Sequence, residues 1–209
     1  MSGRDVVLGR VRAALSGVDP APVVGARDYD LPPDATGEPS TIDLFVERLG
    51  GYDATVHRAS AGDIAVTVAA ALTARGLRRV IVPEGLDDSC LPTAGFEWIR
   101  DDPPLSTDAI AAADGVVTAA AVGVADSGTL VLDGGAGQGR RVLSLLPDAM
   151  LVIIPADRVV AALPSAIAHL DPTRPMTFVS GPSATVDIEL VRVGGVHGPR
   201  ALDVVVLEG

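Results

Sequence analysis

Apolar and polar positions alternate in two rhythms along this chain, and the rhythms predict an order of helices and strands. Apolar residues recur at helical spacing over residues 4–15, and Thr41 is a candidate cap for a helix that runs through Leu49. Further helices are predicted over residues 62–75, 107–113 and 157–170. Runs rich in β-branched residues predict strands over residues 54–58, 79–82, 97–100, 115–122, 128–132, 150–154, 176–179 and 202–207.

Several predicted strands are apolar on both faces. Leu151 to Ile154 and Val204 to Val206 are continuous apolar runs, as expected for parallel strands that helices cover on each side. The strands over residues 115–122 and 128–132 are joined by a short turn, which predicts an antiparallel pair. We therefore predict an α/β fold, with a single three-layer domain built on a mixed, mostly parallel sheet.

The first 39 residues differ from the rest of the chain. After the predicted helix, Asp19 to Pro39 is rich in Pro, Gly and Asp, which is typical of a linker. A short isolated helix is marginal in water, so we expect this one to pack on its own domain or on a partner chain. We predict an N-terminal helix and linker over residues 1–39 and one domain over residues 40–209, a length that suits a single core.

Composition narrows the classes of function. The net charge is -11 and the 16 basic residues are all arginine. The chain therefore has neither a Schiff-base lysine nor the lysine of a Walker motif, and its acidic surface disfavours nucleic acid and anionic membranes. No run approaches the roughly 18 apolar residues of a membrane span, and residues 1–15 lack the apolar centre of a signal peptide. We expect a soluble, cytoplasmic protein.

The sequence offers few residues that could bind a metal ion or an iron–sulfur cluster. The single Cys90 cannot form an internal disulfide and cannot provide the several thiolates of an iron–sulfur cluster, so any cluster would belong to another chain. The three histidines are widely separated, which predicts no metal site. His57 in a predicted strand and His169 near a predicted helix end suit structural roles. We expect no cofactor in this chain.

The densest group of polar and turn-forming residues lies near the end of the chain. Ser183 follows Gly181 at a predicted strand end and is a candidate helix cap, with Thr185 and Asp187 in the first turn. The N–H groups of such a helix would favour an anionic ligand. The same residues fit an ordinary helix cap without a ligand equally well, in which Ser183 caps the helix and Asp187 only balances the helix dipole.

A histidine and two further loops complete the candidates. His197 lies in a Gly- and Pro-rich turn, which suits either proton transfer or a structural histidine bonded to loop carbonyls. The turn from Asp126 to Thr129 joins two predicted strands, and turn chemistry alone favours a plain hairpin. Neither Ser127 nor Ser183 lies in a G-x-S-x-G motif, so a serine hydrolase is poorly supported.

The glycine-rich run from Gly134 to Gly139 does not match a phosphate-binding loop. Its spacing is not G-x-G-x-x-G, no lysine follows it, and the preceding strand is predicted in a hairpin. The sequence favours a flexible loop that carries Arg140 and Arg141. Arg140 would be able to pair with a carboxylate or a phosphate.

Three blocks in the second half of the chain together resemble the lactate utilization protein C family, the small subunit type of the LUD domain. Ser180 to Pro199 resembles the family's GPS-x-T-x-DIE and G-V-H-G-P stretches. Ala125 to Leu132 resembles its A-D-[ST]-G-T motif, and Leu143 to Pro147 resembles its S-L-L-P stretch. The blocks keep the family's order over residues 115–209, whereas earlier residues match only in general layout.

The resemblance implies both a fold and a function. The fold is expected to be CoA-transferase-like and formyltetrahydrofolate cyclo-ligase-like. The function implied is that of the cluster-free subunit in a three-protein system that oxidises L-lactate to pyruvate. Its expected partners are the iron–sulfur subunits, with a small carboxylate as ligand. Two alternatives stay open: a non-catalytic assembly or regulatory subunit, and a stand-alone enzyme on a small phosphorylated or nucleotide ligand.

The resemblance also places the loops at one cleft, in which Asp126 and Asp187 face one pocket with Glu189 behind them. We hypothesise that Arg140 or Arg200 pairs with the carboxylate while His197, assisted by Asp187, moves a proton at the hydroxyl. The full set of predicted ligand-binding residues is Asp126, Ser127, Gly128, Thr129, Arg140, Gly181, Ser183, Thr185, Glu189, Gly198 and Arg200. Whether the isolated chain is an enzyme stays open.

Overall fold

The computed structural model describes residues 2–18, 36–186, 192–195 and 197–209. The chain divides into two compact units, residues 1–30 and 31–209. The first contains α1 (Gly3–Ala14), which begins with a capping box in which the Ser2 and Asp5 side chains each accept the other residue's backbone N–H. The helix predicted over residues 4–15 is therefore confirmed, and the domain boundary after residue 39 stays a prediction.

The described residues of the second unit form four α-helices and twelve strands. The helices are α2 (Pro39–Gly51), α3 (Ile64–Ala74), α4 (Thr107–Ala111) and α5 (Leu163–Ala168). Short 3-10 helices cover Asp88–Cys90, Arg141–Ser144 and Ala156–Arg158. The strands are β1 (Thr55–Ser60), β2 (Arg79–Val82), β3 (Glu97–Arg100), β4 (Gly115–Ala119), β5 (Val122–Val124), β6 (Thr129–Leu132), β7 (Ala149–Pro155), β8 (Val159–Val160), β9 (Thr177–Val179), β10 (Ala184–Val186), β11 (Arg192–Gly194) and β12 (Ala201–Glu208). Across the described ranges, no helix is long and apolar enough to cross a membrane.

Six of the described strands form a parallel sheet in the order β1-β12-β7-β4-β2-β3. Successive residues of a strand point to opposite faces, so Val204 packs into one apolar cluster and Val205 into another. Helix α3 covers one face, and α2, α4 and a second sheet cover the other. The continuous apolar runs are thus explained by burial on both faces, and the predicted α/β fold with a mostly parallel sheet is confirmed.

Four further strands form the second sheet in the order β8-β5-β6-β9. Strand β6 pairs antiparallel with both β5 and β9, whereas β5 pairs parallel with β8. Leu130 packs into the core shared with the six-stranded sheet, and its neighbour Val131 packs with Val160 and Ala166. The second sheet therefore buries one face against the six-stranded sheet and the other against α5.

The strand predicted over residues 115–122 is split between the two sheets. Strand β4 ends at Ala119, the N–H of Ala120 donates to Ile153 of the large sheet, and the N–H of Ala121 donates to Val131 of the second sheet. The predicted antiparallel pair is therefore limited to β5 and β6. It belongs to the second sheet, while the large sheet is parallel throughout.

Two of the predicted helices have different starting residues in the structure. The helix expected over residues 157–170 begins only at Leu163, because the β-branched pair Val159 and Val160 forms β8 beside β5. Helix α2 begins at Pro39, whose fixed φ suits a first helical position, with Glu38 as the flanking residue. Thr41 therefore lies buried inside the helix rather than capping it.

The strand order has a topological switch point between β2 and β4. After β2 the chain runs to β3 at one edge, and after β4 it runs to β7 on the other side. The two connections also lie on opposite faces, because Leu86 packs in the α3 cluster and Leu130 packs in the opposite one. A crevice at the carboxyl ends of such adjacent strands is where open α/β sheets bind ligands.

Candidate functional site

A cleft of about 460 Å³ lies beside the loops near the end of the chain. Met150 and Leu202, at the amino-terminal ends of β7 and β12, contribute to its lining. Exposed Tyr52 and Phe178 supply aromatic walls. Hydroxyl groups and a histidine supply the polar lining, from Ser144, Thr177, Ser180, Ser183 and His197. We call this space the His197 cleft.

Ser183 holds the loop that carries His197. The Oγ atom of Ser183 accepts the backbone N–H of His197 at 3.1 Å. The N–H of Ser183 donates to the carbonyl of Pro199 at 2.7 Å, and the carbonyl of Ser183 accepts the N–H of Gly195 at 2.8 Å. These bonds use only the backbone of His197, and among the described residues no side chain or carbonyl is hydrogen-bonded to its exposed ring.

The residues after Ser183 form a strand rather than the predicted helix. Strand β10 pairs antiparallel with β11, so Ser183 caps no helix and the anion-binding helix end expected there does not form. The β-branched pair Thr185 and Val186 favours this extended backbone. Asp187 and Glu189 lie outside the described residues, so their predicted positions beside His197 stay predictions.

Of the two predicted site glycines Gly181 and Gly198, Gly181 is the one that close packing around the cleft requires. A Cβ atom on Gly181 would lie 2.7 Å from the Cβ and 2.8 Å from the carbonyl oxygen of Tyr52, which is too close for any side chain. A Cβ atom on Gly198 would lie 3.5 Å from the Cβ of Ser183, an ordinary contact. Gly181 therefore sets the approach of the loop to the end of α2, and Gly198 is less constrained.

The turn from Asp126 to Thr129 lies against α2. A Cβ atom on Gly128, which has a φ of 57°, would lie 2.8 Å from backbone atoms of both Arg48 and Leu49. The Oγ1 atom of buried Thr129 lies 2.9 Å from the Oγ of Ser127 and 2.8 Å from the Oγ of Ser180. Ser180 lines the His197 cleft, so the turn reaches the cleft through this pair of hydroxyls.

Asp126 does not reach the His197 cleft. It is exposed, its N–H donates to the carbonyl of Ala161, and it is not among the described residues that line the cleft. The expectation that Asp126 and Asp187 face one pocket stays a prediction, because Asp187 lies outside the described residues. The hairpin interpretation of this turn, which turn chemistry alone favoured, agrees with the geometry.

The two arginines expected to bind a carboxylate lie in different places. Arg140 donates to Asp101 through Nε at 2.8 Å and Nη2 at 2.6 Å. These hydrogen bonds hold the pKa of Asp101 below its ordinary value and outweigh the opposing effect of burial. Arg200 is exposed, packs against Gly195, and lines a shallow pocket that shares Ser183 with the His197 cleft. Only Arg200 therefore neighbours His197.

A second cleft, of about 690 Å³, opens at the carboxyl ends of β2 and β3, and the glycine-rich loop that lines it is hydrogen-bonded to Ala119 at the carboxyl end of β4. We call it the switch-point cleft. Its charged lining comes from Glu84, Asp101, Asp102, Asp133, Arg140, Arg141 and Arg174, together with the glycine-rich loop. Sequence reasoning placed Arg140 in the same cleft as His197, whereas this lining places it in the second one.

The glycine-rich loop is tied to the sheet rather than free. The N–H of Gly137 donates to the carbonyl of Glu84 at 2.9 Å, and the carbonyl of Gly137 accepts the N–H of Ala119 at 2.8 Å. The hydroxyl of Thr118 lies 3.1 Å from the carbonyls of both Gly137 and Gln138. The sequence predicts a flexible loop here, whereas these hydrogen bonds fix the loop in place as one wall of the cleft.

Sequence reasoning missed the second ion pair of this cleft. Arg174 donates to Asp133 at 2.9 Å across 41 positions of sequence. Burial raises the pKa of Asp133, but the hydrogen bonds with Arg174, Gly135 and Gln138 lower it by more. The pKa of Asp133 therefore lies below its ordinary value. No local spacing signals such a pair. Over the described residues, no group of three or more His, Cys, Asp or Glu side chains could hold a metal ion.

Comparisons with known proteins decide the family. The LUD domain model matches residues 105–207. Lactate utilization protein C of Deinococcus radiodurans is 40% identical over 193 residues, which cover 88% of this chain and 90% of that protein. The chain belongs to the lactate utilization protein C family.

Further relatives of this family agree in sequence and in fold. Lactate utilization protein C of Bacillus velezensis is 30% identical over 167 residues, which cover 75% of this chain and 68% of that protein. The crystal structure of a DUF162 family protein from Deinococcus radiodurans matches with a TM-score of 0.69 and 35% identity, covering 81% of this chain and 97% of that one. The resemblance of the three motif blocks to the lactate utilization protein C family is confirmed.

Proposed function

We propose that this chain serves lactate utilization as the cluster-free subunit of a three-protein system that oxidises L-lactate to pyruvate, with iron–sulfur proteins as its partners. Its match to a lactate utilization protein C along 90% of that relative's length carries the proposal. The chain's single Cys90 is buried, and burial raises the pKa of its thiol, so it is a poor metal ligand. Electrons would therefore leave lactate through partner chains.

The His197 cleft is the proposed place of lactate. Oxidation to pyruvate removes two electrons and two protons, one proton from the hydroxyl and one from the carbon that bears it. In this proposal the ring of His197, assisted by Asp187, takes the hydroxyl proton, and Arg200 pairs with the carboxylate. The two electrons pass to the iron–sulfur partner chains, and the carbon-bound hydrogen leaves as a proton to solvent. The shared lining of the two adjoining pockets at Ser183 supports this arrangement. Arg200 is favoured over Arg140 because its ion pair with Asp148, at 3.6 Å, is solvent-exposed, whereas Arg140 is held at 2.6 Å by the nearly buried Asp101.

Purification from cells grown on L-lactate tests the proposal. A tagged chain should retain iron–sulfur proteins, and the complex should reduce an artificial electron acceptor when L-lactate is added. A chain that purifies without iron–sulfur proteins under gentle conditions, from cells that oxidise lactate, would contradict the subunit role.

A non-catalytic assembly role is the second candidate. Tyr52, Leu145 and Phe178 are exposed on the rim of the His197 cleft, and such apolar groups suit a protein interface. The variant His197→Ala distinguishes the two candidates. If proton transfer is its role, the complex assembles but oxidises lactate at least about a hundredfold more slowly. An unchanged rate of lactate oxidation in an assembled complex would contradict proton transfer by His197 and favour the assembly role.

Ligand-dependent unfolding tests the isolated chain. A ligand at 100 times its Kd raises the free energy of unfolding by about 2.7 kcal/mol. We expect L-lactate or pyruvate to raise the melting temperature, and adenine nucleotides to leave it unchanged. A shift with nucleotides alone would favour the stand-alone enzyme on a phosphorylated ligand.

A further inference from the structure

The switch-point cleft contains two ion pairs that fix its walls. Arg140 is paired with Asp101, and Arg174 is paired with Asp133. The two carboxylate side chains are only 5% and 12% exposed, and their pKa values are held below the ordinary value. Each pair is neutral as a whole. Neither arginine is therefore free to bind a ligand without leaving a buried carboxylate unpaired, which is costly.

Arg141 is the arginine of this cleft that belongs to neither ion pair. It is exposed, it follows Arg140 directly, and within residues 36–186 and the other described ranges it has no acidic partner. The 3-10 helix Arg141–Ser144 positions it, since the hydroxyl of Ser144 donates to the carbonyl of Arg141 at 2.9 Å and Leu143 is buried. The guanidinium is thus available on an anchored backbone.

Arg141 lies between the two clefts. It lines the switch-point cleft and also a cavity of about 30 Å³ that Ser144 and Thr177 share with the His197 cleft. Carboxyl ends of adjacent strands at a switch point are where ligands of open α/β sheets bind, so topology and charge indicate the same place. Of the loop residues that line the cleft, Gly134, Gly135 and Gly139 have no side chain and Ala136 adds only a methyl group.

The remaining charges restrict the ligand. Glu84 and Asp102 are exposed on the same cleft, and they repel a ligand with several negative charges more strongly than a ligand with one. A single guanidinium matches one carboxylate through two parallel hydrogen bonds. We propose that the switch-point cleft is a second binding site, which takes a small monocarboxylate with its carboxylate on Arg141. The site is separate from His197 and Arg200, and it stands or falls independently of lactate oxidation.

Calorimetric titration with pyruvate tests this site in an Arg200→Gln chain, where the proposed lactate site is disabled. That chain binds pyruvate. Adding Arg141→Gln weakens the affinity at least about tenfold, whereas adding Arg158→Gln, which removes an exposed arginine elsewhere, leaves it unchanged. Arg141→Lys keeps the charge and gives an intermediate affinity. A chain with Arg200→Gln that binds no pyruvate, or an equal affinity with and without Arg141, overturns the proposal.

Pyrophosphate provides the test of ligand class. The Arg200→Gln chain binds pyrophosphate more weakly than pyruvate, and the further changes Glu84→Gln and Asp102→Asn strengthen pyrophosphate binding. Tighter binding of pyrophosphate than of pyruvate before those changes would contradict the monocarboxylate assignment. Melting temperatures of all variants check that each chain is folded.

Discussion

Asp203 is a buried carboxylate in β12, the strand beside the edge strand β1 of the large sheet. It is 5% exposed in β12, and it lies 3.0 Å from the Nε2 of His57 and accepts the Nε–H of Arg75 at 2.8 Å. Arg75 also donates to the hydroxyl of Thr55 at 3.0 Å. The cluster joins β1, β12 and the end of α3. It gives His57 the structural role that the sequence predicts.

The variant Asp203→Asn tests this cluster. The amide keeps the shape but loses the negative charge that pairs with Arg75, so the free energy of unfolding should fall by about 1.5–3 kcal/mol. Urea unfolding measures it. The control Glu47→Gln removes an exposed carboxylate and should change stability by less than about 0.5 kcal/mol. Equal effects of the two changes would contradict a structural role for Asp203.

Asp101 should make stability depend on pH. Its pKa in the folded chain lies below the ordinary value of 3.8, because Arg140 donates to it and this outweighs burial. A depressed pKa in the folded state contributes stability that is present above the unfolded pKa and lost as the pH falls through the folded one. The stability difference between the wild type and Asp101→Asn should therefore shrink below about pH 4. Urea midpoints from neutral to acidic pH measure it, and a difference that stays constant would contradict the ion pair.

At the level of elements, periodicity predicted most helices and strands but not which sheet a strand joins. The apolar pattern runs on from β4 through Ala120 and Ala121 without a turn signal, and only the distant partners Ile153 and Val131 divide it between two sheets. Strand β10 was predicted as a helix because a serine after Gly and Pro suits a helix cap as well as a strand end. Its pairing with β11 decides between them.

The turn between β5 and β6 depends on Gly128. Alanine there must adopt a φ of 57° and place its Cβ 2.8 Å from backbone atoms of α2. Gly76 has a similar φ of 71° but open space around it, so Gly76→Ala should cost only the conformational strain, about 1–2 kcal/mol. Gly128→Ala should cost at least about 1 kcal/mol more. Thermal unfolding of the two variants compares them, and equal losses would contradict the close contact with α2.

For the whole molecule, the sequence predicts the fold class and predicts that the loops of the motif blocks contribute to a cleft. Apolar runs buried on both faces identify a parallel sheet, and the loop residues Ser183 and His197 do meet in one cleft. The switch-point cleft could not be predicted, because Arg140 and Asp101 are separated by 39 positions and their pairing depends on strand order. Strand order itself follows from long-range packing, which local patterns do not encode.

Growth on L-lactate tests the central claim most directly. The gene for this chain would be deleted, and growth compared on L-lactate and on pyruvate as sole carbon sources. A lactate oxidation subunit predicts loss of growth on L-lactate, unimpaired growth on pyruvate, and rescue by the intact gene. Unimpaired growth of the deletion strain on L-lactate, in the absence of another lactate-oxidising enzyme, would contradict the account.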